Sequence, residues 1–305
     1  MSIGLVCHYV EKKFKKNGTF ELTNLLSPKT FQLGRYRAGF YDRKTIVEAY
    51  KSNIQNVINH VEKIASIAGC FRLSSDLIPL HDIVPRDYWD NDELKELYKK
   101  FGQKCASHNL RVVTHPGQFC VISSETDSTV ESSIRELEYH SWMFDQAGFE
   151  ASPLNAINIH LGKKDSSDRF CDVYNRLSKN LKQRLTIENC ESVASVTDLK
   201  KIHDKTGIPV VFDSHHHTFK DGGLSLEAAF DVSLKTWNGI KPLQHVSNSE
   251  PGKEAGNFMD RRKHSELILK IPEPQLEALQ KNQIDLEFEA KHKNLAIEHW
   301  LSNNK

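Results

Sequence analysis

The chain has 305 residues, 38% of them hydrophobic and 27% charged, with 15 glycines and 10 prolines, which excludes collagen-like and disordered chains. Lys plus Arg number 41 against 40 Asp plus Glu, a formal charge of +1, so any surface for a polyanion must be a local concentration of basic groups. No run approaches the roughly 18 apolar residues of a membrane span.

In chain order, residues 3–7 form the first of eight short β-prone runs, and residues 11–40 lack a clear period and read as a long irregular loop over one mouth of the fold. Residues 45–68 carry an apolar stripe through Ile46, Val47, Ala49, Ile54, Val57, Ile58, Val61 and Ile64, which predicts a helix stopped by Gly69. Further strands are predicted at 70–73, 110–114, 156–160, 185–188, 210–213, 243–246 and 284–288. Helices are predicted between and after them at 91–107, 128–146, 169–181, 196–205, 225–234, 264–269 and 295–300.

Eight apolar strands alternating with helices predict a (β/α)8 TIM barrel, an α/β fold. An open doubly wound sheet is the competitor, but its Gly-rich turn is missing from Cys7-His8-Tyr9-Val10. Without an internal repeat or a Pro- and Ser-rich linker, residues 1–305 are expected to form a single domain. The six cysteines lack any C-x-x-C pair, and Met1-Ser2-Ile3-Gly4-Leu5 puts no basic segment before its apolar residues. A reduced, cytoplasmic monomer with no membrane and no obligatory protein partner is the expectation.

Chemistry in such a barrel sits at the carboxyl ends of the strands. The third strand ends in Thr114-His115-Pro116-Gly117-Gln118-Phe119, the fourth in His160-Leu161-Gly162, the fifth in Glu188-Asn189 and the sixth in Asp213-Ser214-His215-His216-His217. The seventh supplies His245 and the eighth Glu289. One strand-end histidine is ordinarily a satisfied structural or surface residue. Six consecutive strand ends bearing imidazoles or carboxylates are different, because converging without a cation they would leave unpaired charges in a low-dielectric mouth. The candidates exceed the needs of one catalytic zinc, which favours two or three divalent ions.

Multi-metal sites of this kind suit phosphate ester hydrolysis, since paired ions stabilise both entering and leaving oxygens, and they also suit sugar isomerisation. Basic residues favour the first. Lys12, Lys13, Lys15 and Lys16 follow strand one, Lys163, Lys164 and Arg169 follow strand four, and Arg261, Arg262 and Lys263 follow strand seven, whereas Asp90, Asp92, Glu93, Glu96, Glu136 and Glu138 belong to helices or the loops leading into them. A neutral chain can thus present a basic rim to a phosphate backbone.

Arg72-Leu73, Leu77-Ile78-Pro79, His115-Pro116-Gly117-Gln118-Phe119, His160-Leu161-Gly162, Ile187-Glu188-Asn189, Asp213 with His216-His217, and Phe288-Glu289-Ala290-Lys291 together resemble the UV-damage endonucleases. The blocks occur in order across most of the chain. The resemblance implies a barrel nuclease that uses a cluster of divalent metals, with Mn²⁺ expected and Zn²⁺ the alternative, to incise damaged double-stranded DNA 5′ to UV photoproducts and other distorting lesions. It places the metal ligands at His115, His160, Glu188, Asp213, His216, His245, His264 and Glu289, with Glu188, Glu289 and His245 as the catalytic group. It assigns Gln118 and Phe119 to a wedge in the duplex, where relatives carry Gln-Tyr and phenylalanine keeps the stacking face. Tyr9, Lys163, Arg261 and Arg262 are further expected DNA contacts.

Two departures stand out. The first strand reads Gly4-Leu5-Val6-Cys7-His8-Tyr9 where better-known members have Gly-Tyr and a nearby Asn, and Leu243 stands where some members carry a lysine. The alternatives are an apurinic-site endonuclease of the endonuclease IV type, and a metal-dependent sugar isomerase or epimerase, which would need neither the basic rim nor Gln118-Phe119.

Overall fold

The computed structural model describes residues 2–15 and 18–304. In chain order its strands and helices are β1 (Ile3–Val6), β2 (Val10–Phe14), β3 (Phe20–Asn24), α1 (Leu33–Arg37), α2 (Arg43–Ala65), β4 (Cys70–Leu73), α3 (Asp92–Ser107) and β5 (Arg111–Thr114). There follow α4 (Asp127–Gln146), β6 (Ile157–His160), α5 (Ser167–Arg176), α6 (Lys179–Arg184), β7 (Leu185–Glu188), α7 (Val196–Thr206), β8 (Val210–Asp213) and α8 (Ser214–His217). The chain continues through α9 (Leu226–Lys235), β9 (Leu243–Val246), α10 (Phe258–Arg261), α11 (Glu273–Gln280), β10 (Asp285–Phe288) and α12 (Asn294–Asn303).

Eight of these strands close a parallel barrel in the order β1-β10-β9-β8-β7-β6-β5-β4, as the alternation of strands and helices predicts. Their residues are almost all buried because the helices cover one face of the sheet and the barrel interior takes the other. The principal apolar cluster lies between barrel and helices, and α2 alone contributes Ile46, Tyr50, Ile54, Val61 and Ile64 to it. Helix starts follow local rules. Asp42 accepts from Thr45 N, Asn91 from Leu94 N, and Ser195 and Asp198 make a reciprocal capping box.

Alternate strand residues fill the interior in layers. At the amino-terminal end Arg111 meets Asp285 at 2.8 Å, and Lys241 reaches the same carboxylate at 2.8 Å. Above them Cys70, Val113, Ala156, Val211 and Leu243 form an apolar cluster with Trp237. Each of those five residues precedes by two a polar residue of the mouth: Arg72, His115, Asn158, Asp213 and His245. The reactive layer therefore rests on a dry floor.

Three expectations are corrected. Residues 11–40 are not an irregular loop, because β2 and β3 pair as an antiparallel hairpin and α1 follows. The hairpin is mostly exposed on both faces, which removes the alternation that would announce it. Instead Phe14 and Phe20 meet edge to face at 6.2 Å, Lys12 lies 4.8 Å over Phe20, and Lys15 pairs with Glu21 at 2.9 Å. The predicted helix at 169–181 is two helices, broken where Leu177 turns extended and Ser178 caps α6.

Residues 264–269 form no helix. His264 makes an isolated bridge with Ser249, and the side chain of Asn248 binds the backbone of Leu269 and Lys270. The helix of this region is α11, begun at Pro272-Glu273-Pro274, where missing N–H groups cost nothing. The six cysteines are free thiols, and no helix among the described residues is long and apolar enough to cross a membrane.

Candidate metal centre at the barrel mouth

Glu188 ends β7, wholly inside the mouth. Its Oε2 lies 3.2 Å from His115 Nε2 and 4.0 Å from His160 Nε2, while its Oε1 lies 3.2 Å from His216 Nδ1 and 3.1 Å from His245 Nδ1. One carboxylate thus faces four imidazoles, two on each oxygen. Asn158 donates to Oε2 and is itself held by Thr186 Oγ1 at 3.0 Å, so the orientation of Glu188 is imposed from below.

Asp213 caps α8, accepting at Oδ1 from the backbone N of His216 at 2.8 Å. That bond draws His216 into the mouth and leaves Oδ2 free to face its ring, 3.7 Å from Nδ1. The run His215-His216-His217 is a buried helical turn rather than a solvated one. The β6 end turns at Gly162, whose φ of 83° and closeness to Val121 both exclude a side chain.

Burial pushes His160 down to about 4 against the pull of Glu188. Burial alone would also lower His245, but the Glu188 carboxylate overrides it and pushes the ring up to about 10. Glu188 is held well below the usual carboxylate range: burial opposes this, and His245 and His160 prevail. Glu289 is likewise lowered against burial by Arg72, whose Nη1 stands 2.6 Å from Oε1, and by His245.

The donor set fits divalent ions. Two triplets, His115 with His160 and Glu188, and Glu188 with Asp213 and His216, each bring their candidate ligand atoms within 4.8 Å of one another, and they share Glu188. Asp213 Oδ2 and His160 Nδ1 are buried polar atoms with no hydrogen-bond partner among the described residues. Mixed imidazole and carboxylate donors suit Mn²⁺ or Zn²⁺. His115, His160, Glu188, His216, His264 and Glu289 all line a cavity of about 490 Å³. His264 reaches only its wall, with its ring 5.7 Å from that of His215, and belongs to neither triplet.

The expected DNA contacts are more dispersed. Gln118 and Phe119 project from the loop after β5, with Phe119 84% exposed. Lys163 and Lys164 are exposed beyond β6, and Arg169 is partly engaged with the Ser124 carbonyl at 3.2 Å. Tyr9 is half-buried against the core rather than turned to the cavity. Arg262 pairs with Glu191 at 2.6 Å, Lys263 with Asp260 at 2.8 Å, and Arg261 lies 4.6 Å over Phe219. Part of the basic rim is therefore neutralised locally, and Lys16 lies outside the described residues.

Several polar residues at the site escape a reading of strand ends alone. Asn158 and Glu287 stand two residues before His160 and Glu289, so strand periodicity could have found them. Glu191 lines the cavity 3.8 Å from His216 Nε2. Outside the metal centre, Glu136 is not a surface acid of its helix but is held between His81 at 2.7 Å and His140 at 3.0 Å.

The family model described as UV-endonuclease UvdE matches residues 3–304. A UV DNA damage endonuclease of Nostoc sp. is 36% identical over 241 residues, covering 76% of this chain and 71% of that protein. One of Bacillus cereus is 31% identical over 260 residues, covering 81% of this chain and 79% of that protein. The crystal structure of SacUVDE superposes with a TM-score of 0.78 at 28% identity, covering 100% of this chain and 99% of that one. The sugar epimerase YcjR from E. coli shares the barrel alone, at 10% identity, TM-score 0.52, and coverage of 90% and 98%. With the family model matched from β1 through α12 and the site residues gathered at one mouth, the chain belongs to the UV-endonuclease family.

Proposed function

We propose that this protein is a metal-dependent DNA repair endonuclease that incises the phosphodiester backbone 5′ to UV photoproducts and other helix-distorting lesions. The observation that carries the reading is the convergence of His115, His160, Asp213 and His216 on the two oxygens of Glu188, in a chain of the UV-endonuclease family. Divalent ions held by these residues, Mn²⁺ or Zn²⁺, would supply Lewis-acid stabilisation of the phosphoryl charge and a more acidic water.

The chain's own groups do the rest. Glu188 divides its oxygens between the two triplets, and Asn158 keeps that division in place. Glu289 and His245 complete the acidic and imidazole wall, with Glu289 held ionised beside Arg72. Phe119 presents an open stacking face on the rim, where an unstacked base step would meet it. Lys163 and Lys164 offer their ammonium groups to the backbone.

The test is incubation of the purified chain and Mn²⁺ with duplexes carrying one pyrimidine dimer, one abasic site or no lesion, and separately with a panel of ketoses and aldoses. A nick immediately 5′ of the dimer is the expected product. Cleavage confined to the abasic duplex, or sugar interconversion without nicking, would overturn the reading.

A further inference from the structure

Behind the candidate ligands lies a carboxylate to which the proposed chemistry gives no part. Glu287 stands on β10, in register with His245 on β9, and its side chain turns into the barrel, where it is wholly buried. The backbone makes room for it: a Cβ on Gly4 would stand 2.7 Å from Glu287 Cγ. Oε2 of Glu287 lies 2.8 Å from His245 Nε2 and accepts from Arg72 through Nε at 2.9 Å and through Nη2. On the other edge of the ring, His245 Nδ1 faces Glu188 Oε1 at 3.1 Å and Glu289 Oε1 at 3.6 Å.

Both ring nitrogens therefore face carboxylate oxygens. A ring that ligates a metal is a neutral imidazole with one N–H, so in the metal-bound state a hydrogen can fill only one of the two contacts. A nitrogen lone pair set 2.8 Å from a buried carboxylate oxygen would be strongly unfavourable. Something positive must fill each gap. Arg72 Nη2 lies nearer Nε2, at 2.9 Å, than Nδ1, at 3.3 Å, and only the Nδ1 side also faces Glu188 and Glu289, which line the cavity. The hydrogen belongs on the Nε2 side and the cation on the Nδ1 side.

We propose that Glu287 is a positioning residue that sets the tautomer of His245, accepting from Nε2–H so that Nδ1 is turned toward the divalent ion on the Glu188 side. The inference rests on the metal-site reading above. Such carboxylate–histidine pairs orient a ligand and raise its basicity. Leu243, one layer below His245, belongs to the apolar floor, so the charge of Glu287 is balanced by Arg72 on β4 rather than by a group of β9. Arg72 Nη2 also lies 2.9 Å from His245 Nε2, and an Arg72-to-Nε2 bond is the competing arrangement, with the tautomer reversed.

Mn²⁺ affinity measured by calorimetry on the full chain and on Glu287→Leu and Glu287→Gln tests this, with long-range ¹H–¹⁵N correlation spectra of the Zn²⁺-loaded chain reading the tautomer. The expected result is metal on Nδ1 with Nε2 protonated, a loss of roughly 10- to 100-fold in affinity for Glu287→Leu, and a smaller loss for Glu287→Gln, which keeps an acceptor. Metal on Nε2, or unchanged affinity in both variants while the parent chain binds Mn²⁺, overturns the inference alone. Failure of the parent chain to bind Mn²⁺ or Zn²⁺ overturns the metal-site reading and this inference with it. Should Glu287→Leu not fold, Glu287→Gln and the spectra decide.

Discussion

Glu188 Oε1 on β7 stands 3.1 Å from His245 Nδ1 on β9, with β8 running between the two strands. The two strands flank β8 with both side chains turned into the barrel, and the cap of α8 sets His216 against Asp213 of β8 beside them. Glu188→Gln keeps the shape of the side chain while removing the charge that both triplets share. Nicking of dimer-containing duplex should fall at least about 100-fold, the scale of losing one electrostatic group from a catalytic centre. Circular dichroism should show the fold retained. Undiminished cleavage would remove the proposed site.

Phe119 is 84% exposed, so Phe119→Ala should change stability by no more than about 0.5 kcal/mol. The preference for damaged over intact duplex should fall roughly 10-fold, within the range for one base–aromatic stack. Competition binding with the two duplexes reads this. Equal preference in the variant would show that the ring does not enter the duplex.

Lys163→Ala should lower the slope of log affinity against log salt by about 0.9 if its ammonium neutralises one phosphate. Titrations of duplex binding at several salt concentrations give the slope. An unchanged slope would place the backbone track elsewhere on the rim.

Glu136 provides a stability test outside the two ligand triplets, half-buried between His81 and His140. Burial would raise its carboxyl, but His140 and His81 hold it well below the ordinary range, so its contribution is present above that range and lost only in strong acid. Burial would lower His81, yet the hydrogen bond to Glu136 raises it, so this contribution is full below the ordinary imidazole pKa and fades as pH rises through the raised value. Glu136→Gln should therefore destabilise most near about pH 5.5, by about 3 kcal/mol, and less as the solution turns alkaline. Denaturant melts of both chains across pH measure the difference, and a gap that grew with pH would contradict it.

Gly102 on α3 packs against the end of α4 so closely that a Cβ would stand 1.8 Å from the Ala147 carbonyl oxygen. Gly102→Ala should cost about 3 kcal/mol of stability. Mn²⁺ affinity of the folded fraction should be unchanged, because the contact lies among the outer helices. Calorimetric melting and metal titration of the same sample separate the two effects.

Much of the barrel is legible because its determinants are local. Short β-prone runs such as 70–73, 185–188, 210–213 and 243–246 coincide with β4, β7, β8 and β9, since a strand covered by helices keeps its outward residues apolar and its polar ones for the mouth end of the interior. The β2–β3 hairpin escapes the same logic, having no buried face to impose alternation. The segment after His264 escapes it because Asn248, distant in sequence, binds its backbone.

The amino-acid sequence by itself determined which side chains end each strand, and therefore that imidazoles and carboxylates crowd one mouth. Strand period and helix caps act within a few residues, so order along the chain is enough to read them. The tertiary structure alone decided how those groups are shared. Strand neighbours on either side of β7 divide the oxygens of Glu188 between two triplets, and closure of the barrel lets Arg72 of β4 reach Glu287 of β10 and Glu289 just after it. Partnerships across a barrel depend on register and closure, which no local stretch of chain encodes.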